Sequence, residues 1–275
     1  MTTLLSWVSF SDADIIPHKP RAVYLASDSR ITWDTADHRW DSGRKIFAPT
    51  TAPHLFGFVG DVVLPGLILG QVSAAIDAGI LIDPQATPDE QHQAVLGAIQ
   101  RAVATTVATP SLDFTIHHLM RSGDWPNTEF RAWQIGHEVA QRRCTSSPIA
   151  VPATTALIKS FGSGGDAADE HRTKWLRSDV GSRSRAILSA FHDAIVSGDD
   201  LFSGGPPQLA ALYTRGPPVP IGLVVGEHRY LNGLQVDVSP LLDAIEWRDR
   251  LGQRVEPTTG SVKPGARRFV RPGQV

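Results

Sequence analysis

The second residue has the most chemistry to offer. A small residue in that position favours removal of the initiator methionine, and removal of Met1 would leave Thr2 with a free α-amine. Such an amine has an ordinary pKa of about 7.7–8.0, close to working pH and within reach of its own hydroxyl. Nucleophile and base then share one residue. Asp28 and Lys45 supply the next two groups. An ammonium beside the nucleophile disfavours protonation of the amine and stabilises negative charge, and a carboxylate beside the ammonium keeps it charged and oriented. Taken alone, Thr2 is a common second residue, and an Asp–Lys pair reads equally well as a surface ion pair worth about 0–1 kcal/mol.

Three glycine-bearing segments could complete a site. Gly57-Phe58-Val59-Gly60-Asp61 runs from an apolar strand into a helix. There the Gly60 N–H could hold an oxyanion, a role whose loss lowers rate by about 10²–10³. The others are Gly162-Ser163-Gly164-Gly165 and Asp200-Leu201-Phe202-Ser203-Gly204-Gly205. The first lacks the Gly-Lys-Ser/Thr ending of a phosphate-binding loop and is no dinucleotide fingerprint. On local grounds, an ordinary turn and flexible loops account for all three. His117-His118 lies in a strand, where neighbouring side chains face opposite ways, so it makes a poor metal pair. Cys144 follows Arg142-Arg143 without a nearby histidine and reads as a bystander thiol.

The elements that must position these groups are legible. Thr3–Phe10 and Ala22–Ala26 read as a hairpin joined by the polar segment 11–21, with Lys45-Ile46-Phe47 and His54–Val59 as further strands. Asp61–Ala78 and Thr87–Thr109 read as helices, the second opened by Thr-Pro-Asp-Glu. Phe114–Met120, Thr128–Glu138 and Ala156–Phe161 return to strands. A helix over Ser182–Ser197 stops at Gly198, and short strands close the chain at Gln208–Tyr213, Ile221–Val225 and His228–Leu231. Runs of strands divided by runs of helices point to sheets layered with helices. Residues 255–275, rich in Pro, Gly, Arg and Thr, read as a tail that is mobile or held by a partner.

Composition narrows the classes. The 275 residues, 41% hydrophobic and 20% charged, suit a globular chain of one large or two small domains. Lysine plus arginine (26) nearly balances aspartate plus glutamate (28), and no basic stripe accompanies the seven tryptophans, which argues against nucleic acid. The apolar stretch 62–82 is broken by Pro65, Gln71, Ser73 and Asp77, as in a buried helix rather than a membrane span. A single cysteine and a start without a basic, cleavable leader fit the cytoplasm.

Order and spacing together carry more than any one signal. The chain resembles the proteasome β-type branch of the N-terminal nucleophile (Ntn) hydrolases, which includes HslV and Anbu. Met1-Thr2-Thr3 looks like a processed Thr-Thr start, Ala26-Ser27-Asp28-Ser29-Arg30-Ile31-Thr32 resembles the family's Ala-Asp-Ser-Arg-Ala-Thr segment, and Lys45 follows at nearly the family separation. Gly57–Asp61 resembles the family's glycine turn. Gly162-Ser163-Gly164 and Asp200-x-x-Ser203-Gly204-Gly205 match its Gly-Ser-Gly and Asp-x-x-Ser-Gly-Gly motifs.

The resemblance implies an α+β fold, a four-layer αββα sandwich with two antiparallel sheets between helical layers. It would form one Ntn-hydrolase domain over 1–254, followed by the 255–275 tail. Thr2 would be the nucleophile, its amine the base, Lys45 the tuning charge and Asp28 its orienter. Ser163, Asp200 and Ser203 would surround the amine, and Gly60 would hold the oxyanion. Ile31, Gly43, Phe58 and Val62 would line the substrate pocket. The implied activity is a threonine peptidase, with no metal or organic cofactor, acting on peptide or unfolded protein inside a ring or spiral of its own copies. Any ATPase partner is unspecified. An Ntn amidase acting on small amides and a catalytically silent ring subunit are the alternatives. The lengthened first hairpin and the unusual Gly-Phe-Val-Gly-Asp turn depart from the family pattern and leave the oxyanion donor open between Gly60 and a neighbour.

Overall fold

The computed structural model describes residues 2–11, 19–107, 113–123, 125–141, 143–178, 180–269 and 271. The chain opens with the strands β1 (Leu4–Phe10) and β2 (Pro20–Ser27), then a two-stranded ribbon of β3 (Ile31–Thr32) and β4 (Arg39–Trp40). β5 (Ile46–Phe47) and β6 (His54–Gly60) lead into the helices α1 (Val63–Asp77) and α2 (Pro88–Ala104). Next come β7 (Phe114–Ser122), β8 (Glu129–Glu138), β9 (Arg143–Ile149) and β10 (Ala156–Phe161), then the helices α3 (Gly165–Leu176) and α4 (Ser184–Ser197). The chain closes with β11 (Gln208–Tyr213), β12 (Val219–Val225), β13 (His228–Leu231), β14 (Leu234–Val236) and β15 (Trp247–Arg248).

These strands make two main antiparallel sheets. One runs β10-β1-β2-β11-β12-β13-β14, with β15 added in parallel beside β12, and the other runs β5-β6-β7-β8-β9. Strand alternation explains how each sheet is covered on two faces. From the first sheet, Leu4, Val8, Val23 and Leu25 meet Leu55, Val59, Leu119 and Ala132 of the second. The intervening residues Leu5, Trp7, Tyr24 and Ala26 pack with Ile187, Leu188 and Phe191 of α4. On the second sheet, Phe56, Phe58 and Ile116 pack with Leu69 and Val72 of α1 and Val95 and Ile99 of α2. Gly57 lets the sheets approach, since a Cβ there would meet the side chains of Leu4 and Leu25.

Local signals set the helix ends. Thr87 and Glu90 form a capping box with Pro88 in the first turn, the Asp61 carboxylate accepts from the N–H groups of Val63 and Leu64, and Gly198 closes α4 at φ 72°. α2 ends at Ala104, short of the Thr109 expected from periodicity. Thr105 and Thr106 turn back onto the last carbonyls there, and residues 108–109 lie outside the described set. Six elements have no counterpart in the periodicity: β3, β4, β9, α3, β14 and β15. α3 is polar, burying little beyond Gly165, Ala168 and Trp175, so it shows no apolar stripe.

α2 rests on the second sheet through a chain of neutral side chains. Gln91 Nε2 donates to Ala86 O, which fixes its amide so that Oε1 faces His54 Nε2 at 3.1 Å. His54 Nε2 therefore carries a proton, and His54 Nδ1 accepts from His118 Nε2 at 3.0 Å. His118 Nδ1 accepts from His92 Nδ1 at 2.9 Å, and His92 Nε2 accepts from the Ser146 hydroxyl at 2.7 Å. His117 faces the other way, donating from Nδ1 to Trp133 O and accepting at Nε2 from the Ser6 hydroxyl of the opposite sheet.

The region past 254 begins against the body. Val255 is fully buried with Val224, Leu242 and Trp247, Val262 bridges to it, Phe269 N–H donates to Gln253 Oε1, and Arg271 pairs with Asp193. Two isolated valines anchor this stretch, too few to register as a period in a Pro/Gly-rich segment. No helix among the described residues is long and apolar enough to cross a membrane.

Candidate active site

The site forms where the first sheet's central strands end. Pairing places Leu4 of β1 opposite Ser27 of β2, and Ser27 opposite Gln208 of β11, so Thr2, Asp28 and Gln208 emerge side by side from adjacent strands. Lys45, immediately before β5, reaches in from the other sheet. Lys45 Nζ lies 2.9 Å from Thr2 Oγ1 and 2.8 Å from Asp28 Oδ1, and all three residues are fully buried.

Asp28 is held on every side. Its Oδ1 accepts from Lys45 Nζ and Thr3 N–H, and its Oδ2 accepts from the N–H groups of Arg30 and Gly204. Those bonds replace the solvation of a carboxylate removed from water. Burial drives the Lys45 pKa down and Asp28 works against that shift, so Lys45 ends below the ordinary lysine value. A lysine so placed gives up or shares a proton more readily than one in water.

A second group joins the first through Thr3. Ser163 Oγ and Ser203 Oγ both donate to Asp200 Oδ2, at 2.6 and 2.7 Å, and Thr3 Oγ1 donates to Ser203 Oγ at 2.7 Å. Burial raises the Asp200 pKa, but the two hydroxyls and the Phe202 N–H outweigh it, leaving the carboxyl below its ordinary value. Glycines permit the approach. A Cβ on Gly162 would fall on Thr2 O, and one on Gly164 would fall on Thr3 Oγ1. Gly162 itself takes φ 85°, so its lack of a side chain serves both the turn and the contact.

Six of the residues singled out from sequence therefore meet, as the triad Thr2, Lys45 and Asp28 and the triad Ser163, Asp200 and Ser203. The others are placed differently. Gly60 ends β6 at φ 95° with its backbone against Asp113 and Phe114. Ile31 and Gly43 adjoin, a Cβ on Gly43 falling on the Ile31 side chain. Phe58 is buried in the helix-side core beside Phe47, and Val62 packs on that same cluster.

Sequence reasoning missed three supports. Gln208 is buried, accepts from Lys45 N–H and donates to Asp28 O, Ser29 Oγ and Gly43 O, tying three segments together. A polar residue opening the apolar run Leu209–Leu212 was the available signal. Arg30 forks onto Asp41 through Nε and Nη2, at 2.8 and 2.9 Å, and also donates to the carbonyls of Leu201 and Ser203, strapping the 200–205 loop to the site. Thr3 was noted only as part of the Thr-Thr start.

No family model matches the chain, and no curated protein matches it. Among solved structures, an Anbu (Gly-1) mutant from Hyphomicrobium sp. strain MC1 is similar at 13% identity and a TM-score of 0.50, over 78% of this chain and 82% of that one. The HslV of Trypanosoma brucei is 15% identical with a TM-score of 0.44, over 76% of this chain and 99% of that one. The likeness to Anbu is one of fold. It is a mixed α/β architecture of antiparallel sheets with four α-helices among the described residues.

Proposed function

We propose that this chain is an N-terminal threonine peptidase of proteasome-like type. The observation that carries the reading is Lys45 Nζ bridging the Thr2 hydroxyl and the Asp28 carboxylate in a fully buried cluster. Loss of Met1 frees the Thr2 amine, which takes the hydroxyl proton as Oγ1 attacks a peptide carbonyl. Lys45 keeps positive potential on the hydroxyl and disfavours protonation of the amine. Ser163, Asp200 and Ser203 surround the amine and help relay that one proton toward the leaving nitrogen. The amine then protonates the leaving nitrogen, and the acyl ester on Thr2 is cleaved by a water that the same amine activates.

The oxyanion is assigned to Gly60 N–H. Pro53 O accepts from Arg121 of β7, and groups along a strand alternate sides, so the Gly60 N–H faces the β5 edge that Lys45 leads into. The substrate side chain is assigned to the Ile31–Gly43 contact, with Phe58 and Val62 supporting it from the core. Three core clusters, one between the sheets and one on each outer face, support a four-layer αββα sandwich in a single domain. A homo-oligomeric ring or spiral would cover Val63 and Leu67, which α1 leaves exposed.

The test is intact mass after incubation with a peptide epoxyketone, a probe that reacts with both the hydroxyl and the free amine of an N-terminal threonine. Loss of Met1 with a single adduct, absent from Thr2→Ala, is the expected result. Retained Met1 without an adduct would overturn the reading in favour of a silent subunit. Met1 lost without an adduct would move the substrate to small amides.

A further inference from the structure

The cluster around Thr2 has a neighbour in the C-terminal strands that the proposed reaction does not use. β13 and β14 are joined by Asn232-Gly233, both at positive φ (51° and 85°), the backbone that a two-residue hairpin turn needs. The turn does not end in solvent, for Gly233 is buried. A Cβ on Gly233 would lie 2.5 Å from Ser29 Oγ, 3.2 Å from Ser29 Cβ and 3.4 Å from Gln208 Nε2. Backbone geometry alone would accept asparagine or aspartate there, whereas this contact leaves room for glycine only. Gly226, which turns β12 into β13 at φ 60°, is exposed, and nothing lies within 4 Å of the place its Cβ would take.

The two residues that Gly233 touches hold Asp28 and Lys45. Ser29 directly follows Asp28. Its N–H donates to Gly204 O, its carbonyl accepts from Gly43 N–H, and its hydroxyl donates to Pro206 O while accepting from Gln208 Nε2. Gln208 in turn accepts from Lys45 N–H and donates to Asp28 O and Gly43 O. Neither side chain can swing away without giving up a buried hydrogen bond. The hairpin is no freer. β13 pairs with β12 and β14, and the buried Arg229 donates to the carbonyls of Glu227, Pro257 and Thr258, which ties β13 to the chain past 254. In a close-packed interior, a group forced into this contact displaces Ser29 and Gln208 rather than vanishing into slack.

We propose that Gly233 is a positioning residue: the β13–β14 turn braces Ser29 and Gln208, and through them sets the place of Asp28 and Lys45. The effect on catalysis rests on the reading of Thr2 as nucleophile, while the bracing itself does not.

Gly233→Ala tests it, with Gly226→Ala as the variant that carries similar left-handed strain and no contact. Two readouts keep the proposal apart from the reading it serves. Amide exchange followed by NMR reports the Lys45 N–H bond to Gln208 and needs no reaction. It is measured against the Ile116 N–H in the centre of the second sheet, so that a general loss of stability cancels. Epoxyketone adduct formation reports Thr2. In Gly233→Ala, relative exchange at Lys45 N–H should quicken and adduct formation should slow, each at least about tenfold. Gly226→Ala should leave both within about twofold of the unsubstituted protein. Ser29→Ala removes the atom nearest the added methyl group, so on that background Gly233→Ala should change either readout by less than about threefold. Arg229→Lys loosens the hairpin without adding a methyl group and keeps the test readable if Gly233→Ala does not fold. Relative exchange at Lys45 N–H should then rise about threefold or more, and no rise would overturn the proposal. Equal behaviour of Gly233→Ala and Gly226→Ala would overturn it as well. So would an effect undiminished without the Ser29 hydroxyl, or an adduct rate unchanged despite faster exchange. An unsubstituted protein that forms no adduct would overturn the reading of Thr2 alone, and exchange would still decide the bracing.

Discussion

Two buried polar networks lie within one fold, and they solve the same problem in opposite ways. Around Thr2, an ammonium and a carboxylate face each other at 2.8 Å, with backbone N–H groups filling the remaining positions on Asp28. Under α2, Gln91, His54, His118 and His92 each donate once and accept once along a line that ends at the donating Ser146 hydroxyl, with no net charge. The first network holds a strong field at one hydroxyl. The second fixes a helix to a sheet and has no field to apply. A buried ion pair is a poor way to gain stability, because desolvation offsets its attraction, whereas a satisfied neutral chain avoids most of that penalty. The charged arrangement therefore marks the place where chemistry is expected.

Breaking the networks in turn sharpens this contrast. Lys45→Met should have the largest effect, abolishing epoxyketone adduct formation and lowering stability by about 3–5 kcal/mol, since it strands a buried carboxylate. Unchanged adduct yield in that variant would remove Lys45 from the reaction. Thr2→Ala should abolish the adduct as completely while leaving the urea midpoint nearly in place. His118→Leu should do the converse, lowering stability by about 2–4 kcal/mol by orphaning the ring nitrogens of His54 and His92, with adduct formation retained once the protein is folded. Ser203→Ala should fall between these cases, slowing adduct formation by about 10–100-fold through the lost hydroxyl between Thr3 and Asp200.

Acid should separate the networks further. Burial pushes His54, His92, His117 and His192 down to about 4, below the ordinary histidine value. The unfolded chain binds these protons at about 6.5, so stability is full above that pH and declines toward 4. Each histidine contributes up to about 1.4 kcal/mol per pH unit within that window. Asp200 and Asp41, both held low in the fold, continue the decline below it. Urea midpoints at pH 7.5, 5.5 and 4.5 measure this, and a flat profile would contradict the neutral chain. The smallest effect belongs to Cys144, whose buried thiol is pushed up to about 11. Thiol reagents should leave it unmodified at pH 8, and Cys144→Ala should cost about 1 kcal/mol without touching adduct formation.

The groups proposed to react were easier to read from sequence than what surrounds them. Thr2, Asp28 and Lys45 lie at strand ends that apolar periodicity marks well, and their residue types announce their chemistry. The glycine motifs at 162–165 and 203–205 were visible as motifs, but their purpose was not. Only the fold shows the backbone passing close over Thr2 and Thr3. Gln208 and Arg30 act through long-range hydrogen bonds that no local pattern encodes. α3 escaped because its partner is α4 and its exposed faces are polar, leaving no stripe to count. Phe58 shows the opposite failure. The family resemblance implied a pocket role for it, whereas strand alternation turns its ring into the core with Phe47.

The hydrogen bond between Thr3 and Ser203 joins residues 200 positions apart, and that between Asp28 and Gly204 spans 176. During synthesis the proposed nucleophile therefore leaves the ribosome about 200 residues before Ser203 and Gly204 do. At about 5–20 residues per second, that interval lasts on the order of ten to forty seconds. A truncated or still-growing chain that ends before Ser163 carries Thr2, Asp28 and Lys45 but none of Ser163, Asp200, Ser203 and Gln208. The proposed site thus cannot assemble until synthesis has passed Gln208.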